Sequence, residues 1–181
     1  MSRFRKLTEE VVFQGTLITA ARATFADPSG ETFERDVVHH PGAVVVVPVF
    51  DDGRVLLVRQ FRAAVEDDLL EVPAGKRDVD GEPVETTAHR ELAEEVGMTT
   101  GRMELLAEFY NSPGFCDEHT FLFLARDLTP CELSAQGIEE QHMTIETVSL
   151  ADVPAMIADR RLVDAKSIIG LTLAREVLGI R

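Results

Sequence analysis

An acidic stretch on a predicted helix constrains this chain more than any other feature. The stretch is Arg90-Glu91-Leu92-Ala93-Glu94-Glu95-Val96, and Gly97 follows it. Pro suits the first position of a helix and Gly commonly ends one, so a helix is predicted from Pro83 to about Val96. Carboxylates at positions i and i+4 of a helix repel each other. We therefore expect Glu91 and Glu95 to hold a cation between them.

The same helix places this acidic pair beside its buried side. With about 100° of rotation per residue, Glu91 and Glu95 fall within about 20° of Val84, at the edge of the apolar stripe. A solvated acidic face is the common alternative, but an unpaired charge at the margin of a core is unfavourable. Mg²⁺ prefers oxygen ligands and keeps waters that phosphate oxygens can replace. A divalent cation is the interpretation we favour.

The length of the chain limits the number of domains, and its charge limits the classes of binding partner. The chain has 181 residues, which suits one compact domain with at most a modest extension. Its formal net charge of −14 argues against a nucleic-acid partner, because such proteins carry basic patches. An anionic substrate remains compatible with this charge if divalent metals lie between substrate and protein.

The cysteines and the apolar runs indicate a cytoplasmic protein without a membrane partner. Cys116 and Cys131 lack the spacing of a disulfide framework, so we expect two free thiols in a reducing compartment. The basic start of the chain is not followed by a long apolar region, so no signal peptide is expected. No apolar run approaches the ~20 residues that a membrane-spanning helix needs.

Most of the chain outside the acidic helix is predicted to form strands. Alternating or β-branched segments predict strands over 11–25, 32–39, 43–50, 54–61, 69–72, 103–110, 119–126 and 141–150. Two helices are predicted at the end, over 152–159 and 164–178. This order indicates an α/β or α+β fold. Residues 1–40 are predicted to form an appended N-terminal β element, and residues 41–181 the main domain.

The acidic helix and the residue Glu82 before it together resemble the Nudix box. That family pattern is Gly, five residues, Glu, seven residues, Arg-Glu, an aliphatic, any residue, Glu-Glu, any residue, Gly and an aliphatic. The match runs from Gly75 to Met98 with one departure, since six residues (76–81) separate Gly75 from Glu82. The extra residue lies in the loop, so we expect the geometry of the helix to survive.

Further segments are similar to the ADP-ribose pyrophosphatase branch of the Nudix family. They are Arg35-Asp36-Val37-Val38, His40-Pro41-Gly42-Ala43-Val44, Val58-Arg59-Gln60-Phe61-Arg62, Leu70-Glu71-Val72-Pro73-Ala74-Gly75 and Ser112-Pro113-Gly114-Phe115. The resemblance covers the chain from about Thr16 to the last strand. It implies an α+β fold, namely a Nudix-type α/β/α sandwich with a mixed sheet, plus the N-terminal antiparallel β element as a dimerisation arm.

The resemblance also implies a metal site and its supports. The metal ligands would be Glu91 and Glu95, with Glu94 assisting and the backbone carbonyl of Ala74 completing the set. Mg²⁺ is the expected ion, with Mn²⁺ as a possible substitute. Arg90 would orient the glutamates for catalysis, and Glu82 would hold the loop against the helix without touching metal.

More than one residue is a candidate for the general base, and the substrate-binding residues also have an alternative interpretation. Glu118 is the first candidate for general base, Glu94 is its rival and Asp117 a weaker neighbour. Substrate contacts are assigned to Arg59, Arg62, Glu71 and Pro113, although the two arginines could equally be surface residues. The adjacent histidines His39 and His40 would point to opposite faces of a strand, so we interpret them as structural.

These implications predict an enzyme. We expect a homodimeric, Mg²⁺-dependent Nudix pyrophosphohydrolase that cleaves ADP-ribose, a nucleoside-diphosphate sugar, to AMP and ribose 5-phosphate. One alternative is the same chemistry on another nucleotide sugar such as GDP-mannose. A second is a non-catalytic Nudix regulator that only binds nucleotide. A third, a Ca²⁺-binding structural protein, is disfavoured because the EF-hand loop spacing is missing.

Overall fold

A computed structural model describes residues 3–133 and 141–180 of the chain. The strands along these residues are β1 Arg5–Gln14, β2 Thr19–Ala26, β3 Thr32–His39, β4 Ala43–Pro48, β5 Arg54–Arg62, β6 Asp67–Glu71, β7 Ala74–Lys76, β8 Met98–Tyr110, β9 His119–Pro130 and β10 Thr144–Ser149. The helices are α1 Val84–Val96, α2 Val153–Ala158 and α3 Ala165–Leu178, and a 3₁₀ turn over Leu150–Asp152 precedes α2.

The chain forms two compact units. The first unit consists of Met1–Gly42 together with Phe109–Thr120, and the second of Ala43–Glu108 and Phe121–Arg181. The first unit therefore extends beyond the predicted N-terminal element, residues 1–40, because it also takes in the connection between β8 and β9. A role of residues 1–40 as a dimerisation arm stays a prediction.

The first unit is built on a three-stranded antiparallel sheet in the order β1-β2-β3. The prediction of one strand over residues 11–25 is wrong, because the chain reverses between β1 and β2. The Gly15 amide donates to the Ile18 carbonyl at 2.9 Å, which closes the turn. A Cβ at Gly15 would lie 3.0 Å from the ring of Phe13, so glycine suits the tight path. The predicted hairpin between β2 and β3 is confirmed.

The second unit carries the core and the acidic helix. Its sheets have the orders β10-β5-β6 and β7-β4-β9-β8. All six residues of β4 are buried, as the β-branched run predicts. Helix α1 packs on β4, β5 and β7, and α3 packs on β4. The main core cluster combines strand and helix residues, namely Val44, Val46, Leu56, Val58, Ala88, Leu92, Val96, Phe123 and Ala125.

The ends of the elements differ from the sequence prediction by a few residues. Pro83 was predicted to open α1 but precedes it, because its ψ of 140° is extended and the helix begins at Val84. Gly97 ends α1 as predicted, with a left-handed φ of 62°. Strand β8 begins at Met98, five residues before the predicted start at 103, because the chain enters the sheet beside β9 directly after Gly97.

Strands β9 and β10 each differ from the prediction at one end. Strand β9 runs to Pro130 instead of 126, and β10 begins at Thr144 instead of 141.

Within the described residues, no helix is long and apolar enough to cross a membrane.

Candidate active site

Two glutamates of α1 lie against a short stretch of backbone in β7. Glu91 is 7% exposed and Glu95 is 4% exposed, so both carboxylates are buried, as the helical wheel predicts. The Ala74 amide donates to Oε2 of Glu95 at 2.9 Å. A Cβ added to Gly75 would lie only 1.8 Å from Cδ of Glu91, so this carboxylate packs directly on the glycine backbone. The Ala74–Gly75 segment thus forms a floor beneath the acidic pair.

Arg90 lies among three carboxylates. Its Nη1 is 2.7 Å from Oε1 of Glu91 and 3.0 Å from Oε2 of Glu94. Its Nη2 is 3.4 Å from Oε2 of Glu82. Burial alone would lower the pKa of Arg90, but these neighbouring acids raise it well above its usual range. The guanidinium therefore stays charged and offsets the repulsion between the acids.

Glu82 is attached to the helix even though the loop before it is one residue longer than the family pattern. Its Oε2 accepts a hydrogen bond from Thr87 Oγ1 at 2.7 Å, and this bond lowers the pKa of Glu82. Thr87 is fully buried, so its hydroxyl holds the Glu82 carboxylate in a fixed position. The extra residue falls between Lys76 and Gly81, where Gly81 has a left-handed φ of 75°. Glu82 keeps its contacts with α1 despite the longer loop.

The acidic pair offers the kind of ligands that a hard cation uses. Among residues 3–133 and 141–180, no three His, Cys, Asp or Glu side chains form a ready-made metal cage. Mg²⁺ rarely uses such a cage, because it is bound through one or two carboxylates and completes its shell with waters and phosphate oxygens. Glu91 and Glu95 supply two buried carboxylates one turn apart, and the chemistry of these oxygen donors fits Mg²⁺ or Mn²⁺.

The two predicted substrate arginines have carboxylate partners within the second unit. Nε and Nη2 of Arg62 each donate to a different oxygen of Glu71 at 2.7 Å, so the two side chains form a bidentate ion pair. The side chain of Glu71 is 1% exposed, whereas that of Arg62 is 39% exposed. Arg59 donates from Nε to Oε1 of Glu146 at 2.6 Å.

A polar cluster next to this ion pair was missed in the sequence. Lys166 Nζ lies 3.6 Å from Oε2 of Glu71 and 2.6 Å from Oδ1 of Asp164. Oδ2 of Asp164 accepts from both the amide and the hydroxyl of Ser167, which caps α3. Asp before a predicted helix favours such a cap, so Asp164 could have been found. The contact of Lys166 with Glu71 has no local sequence signal.

The remaining predicted residues lie in the first unit, in the segment between β8 and β9. Pro113 is exposed and Glu118 is half-buried there. This segment is bonded to β3: the Val38 amide donates to the Phe115 carbonyl at 2.7 Å. The side chain of Asp117 lies 2.6 Å from Nδ1 of His39 and accepts from the His40 amide at 2.8 Å.

The comparison with known proteins defines the class of this chain. The sequence model of the family described as "NUDIX domain" matches residues 39–168 of this chain. The chain therefore belongs to the Nudix family.

Particular relatives narrow the comparison. The chain is 37% identical to "ADP-ribose pyrophosphatase" of Bacillus subtilis (strain 168), over 90% of this chain and 88% of that one. It is 33% identical to "Methanol dehydrogenase activator" of Bacillus methanolicus, over 92% and 90%. A solved structure titled "Crystal structure of ADP compounds hydrolase" superposes with a TM-score of 0.85 at 25% identity, covering 97% of this chain and 94% of that one. The predicted α+β, Nudix-type fold is confirmed.

Proposed function

We propose that the chain hydrolyses the pyrophosphate bond of ADP-ribose to give AMP and ribose 5-phosphate, with Mg²⁺ or Mn²⁺ as cofactor. The observation that carries the proposal is the buried pair Glu91 and Glu95 on the Ala74–Gly75 floor. Membership of the Nudix family and the similarity to a bacterial ADP-ribose pyrophosphatase support the choice of substrate.

The proposed roles follow from the contacts of each side chain. Glu91 and Glu95, with Glu94 assisting and the Ala74 carbonyl, would hold the metal. When bound, the metal would neutralise the pyrophosphate and lower the pKa of an attacking water. Arg90 keeps the acids of α1 in place and Glu82 fixes the end of the loop.

Substrate binding needs positive charge on a strongly acidic chain. The guanidinium of Arg62 uses Nε and Nη2 for Glu71, which leaves Nη1 for a phosphate oxygen. A planar guanidinium held along one edge is well oriented for such a bond. Arg59 and Pro113 are proposed as further substrate contacts.

The general base is proposed to be Glu118, with Glu94 as the rival. The base would take the proton of the attacking water while the pyrophosphate bond breaks. We expect Glu118→Gln to lower kcat about a hundredfold or more, as the loss of a general base does. Steady-state kinetics of Glu118→Gln and Glu94→Gln would decide. Near-normal turnover in Glu118→Gln together with a large loss in Glu94→Gln would reassign the role.

A substrate panel tests the proposed activity. The protein would be incubated with Mg²⁺ and ADP-ribose, GDP-mannose or other nucleoside-diphosphate sugars, and the released nucleotide would be quantified. We expect AMP from ADP-ribose at the highest kcat/KM. If no nucleoside-diphosphate derivative is cleaved, the enzyme proposal is refuted. Preference for GDP-mannose would keep the chemistry and change the substrate.

The metal site can be tested separately from the substrate. Glu95→Gln should abolish hydrolysis and weaken Mn²⁺ binding while the circular dichroism spectrum stays unchanged. Glu85→Gln is the matched control, because Glu85 lies in the first turn of the same helix but is exposed. Equal loss in both variants would show an effect of helix charge instead of a metal site.

A non-catalytic regulator is the second candidate, and one relative, the protein named as an activator of methanol dehydrogenase, favours it. Binding of ADP-ribose without turnover in the substrate panel would select it. We further propose a cytoplasmic homodimer. The two free cysteines support the compartment, and the exposed apolar residues of β1 support the dimer.

A further inference from the structure

A series of ion pairs with alternating charges connects the side chain of Arg62 to the start of α3. Arg62 binds Glu71, Lys166 lies between Glu71 and Asp164, and Asp164 caps the helix. Two cations and two anions therefore balance within a largely buried cluster. A buried charge is tolerated only when it is paired and hydrogen-bonded, so removal of one member disturbs the others.

A second contact attaches α3 to Val72, the residue that follows Glu71 and the end of β6. The Val72 amide donates to Oγ of Ser167 at 2.9 Å, while this hydroxyl donates to Oδ2 of Asp164 at 2.7 Å. Ser167 is fully buried. Val72 directly follows Glu71, so the position of the Glu71 backbone depends on the cap of α3.

The cluster also lies within the electrostatic field of Glu95. Hydrogen bonding to Glu71 raises the pKa of Arg62 against the effect of burial, and the charges of Glu95 and Asp164 raise it further. Only two residues, Val72 and Pro73, separate Glu71 from the Ala74–Gly75 floor. A shift of Glu71 would consequently move the guanidinium relative to the metal carboxylates.

We propose that Lys166, Asp164 and Ser167 are positioning residues that fix the Arg62 guanidinium, through Glu71, for binding of a substrate phosphate. This inference rests on the proposed function. Lys166 does not itself contact substrate in this role, because its ammonium is placed between two carboxylates.

A double-mutant cycle tests the proposal, because coupling energies identify residues that act through one another. The dissociation constant of a non-hydrolysable methylene analogue of ADP-ribose would be measured calorimetrically for wild type, Lys166→Met, Arg62→Ala and the double variant. We expect Lys166→Met to weaken binding roughly tenfold in the wild-type background. In the Arg62→Ala background it should change binding by less than about twofold. Lys166→Arg, which keeps the charge, should restore most of the affinity.

The matched control is Arg161→Met. Arg161 also pairs with an aspartate two residues earlier, Asp159, but both side chains of this pair are exposed. It should leave the dissociation constant unchanged. If Lys166→Met does not fold, Ser167→Ala enters the same cycle, since it removes both hydroxyl contacts without leaving a charge unpaired.

Three outcomes separate the inference from the proposed function. Coupling between positions 166 and 62 supports the positioning role. Equal effects of Lys166→Met in both backgrounds, or no effect, overturn it while the proposed function stands. If the wild-type protein neither binds the analogue nor cleaves ADP-ribose, the proposed function is refuted and the positioning role falls with it.

Discussion

Gly75 determines where the carboxylate of Glu91 can lie. A methyl group at this position would collide with the Glu91 carboxylate at 1.8 Å from Cδ, and the collision involves a side chain fixed on a packed helix. We predict that Gly75→Ala displaces Glu91 and raises the Mn²⁺ dissociation constant about tenfold or more, as loss of support around metal ligands does. Titration with Mn²⁺ would measure this change directly.

The control for this substitution is Gly101→Ala in β8. Its Cβ would meet Asp127 Cβ at 3.3 Å, a contact that a small shift relieves, and it lies on another strand. Unchanged Mn²⁺ affinity is expected there. A Gly75→Ala variant with wild-type Mn²⁺ affinity would mean that Glu91 is not a ligand.

At the scale of elements, the segment between β8 and β9 is attached to β3 by a titratable pair. Hydrogen bonding to Asp117 raises the pKa of His39 against the effect of burial. Burial alone would raise the pKa of Asp117, but hydrogen bonds from His39 and from the His40 amide lower it. The histidine contribution to stability is complete below its unfolded pKa of about 6.5 and is lost as pH rises through the raised folded value. The aspartate contribution is lost at low pH, below about 3.9.

We therefore predict that Asp117→Asn loosens residues 111–118 more at pH 6 than at pH 9. Amide hydrogen exchange read by mass spectrometry would give the ratio of variant to wild-type exchange rates at each pH. Asp36→Asn is the control, because Asp36 pairs with the non-titrating Arg22 in the same unit. An equal ratio for Asp117→Asn at both pH values would contradict the prediction.

The elements that the sequence predicts well are those with strong local signals. Helix α1 has an apolar period and a terminating glycine, and β4 contains four consecutive valines, so the sequence predicts both. The turn between β1 and β2 was not predicted, because Gly15 is the main sequence signal for it. The cluster around Lys166 was also missed. Its parts meet only through the fold, and the bond from Val72 to Ser167 joins residues 95 positions apart.

At the scale of the molecule, β1 has an unusual surface. All ten of its residues are exposed, and it lies at the edge of its sheet. Its large apolar residues are exposed too, namely Leu7, Val11, Val12 and Phe13. Monomers rarely leave such a patch and such an edge uncovered. This surface suits pairing with a second copy of the chain.

We predict that Val12→Lys converts a dimer into a monomer of 20.0 kDa, which sedimentation equilibrium would show. A lysine on an edge strand opposes pairing because its charge would be buried. Glu10→Lys, also on β1, exchanges one charge for another without removing apolar surface and should stay dimeric. A dimeric Val12→Lys protein, or a monomeric wild type, would contradict the proposed arm.

The carboxylate of Glu82 is held by Thr87 and Arg90 on the helix that follows it. The stretch between Gly75 and Glu82 therefore accommodates one residue more than the family pattern while Glu82 keeps its contacts with the helix. A search pattern that fixes five residues there would overlook this chain. In this chain the helical half of the motif carries the match, and the departure is confined to the spacing ahead of it.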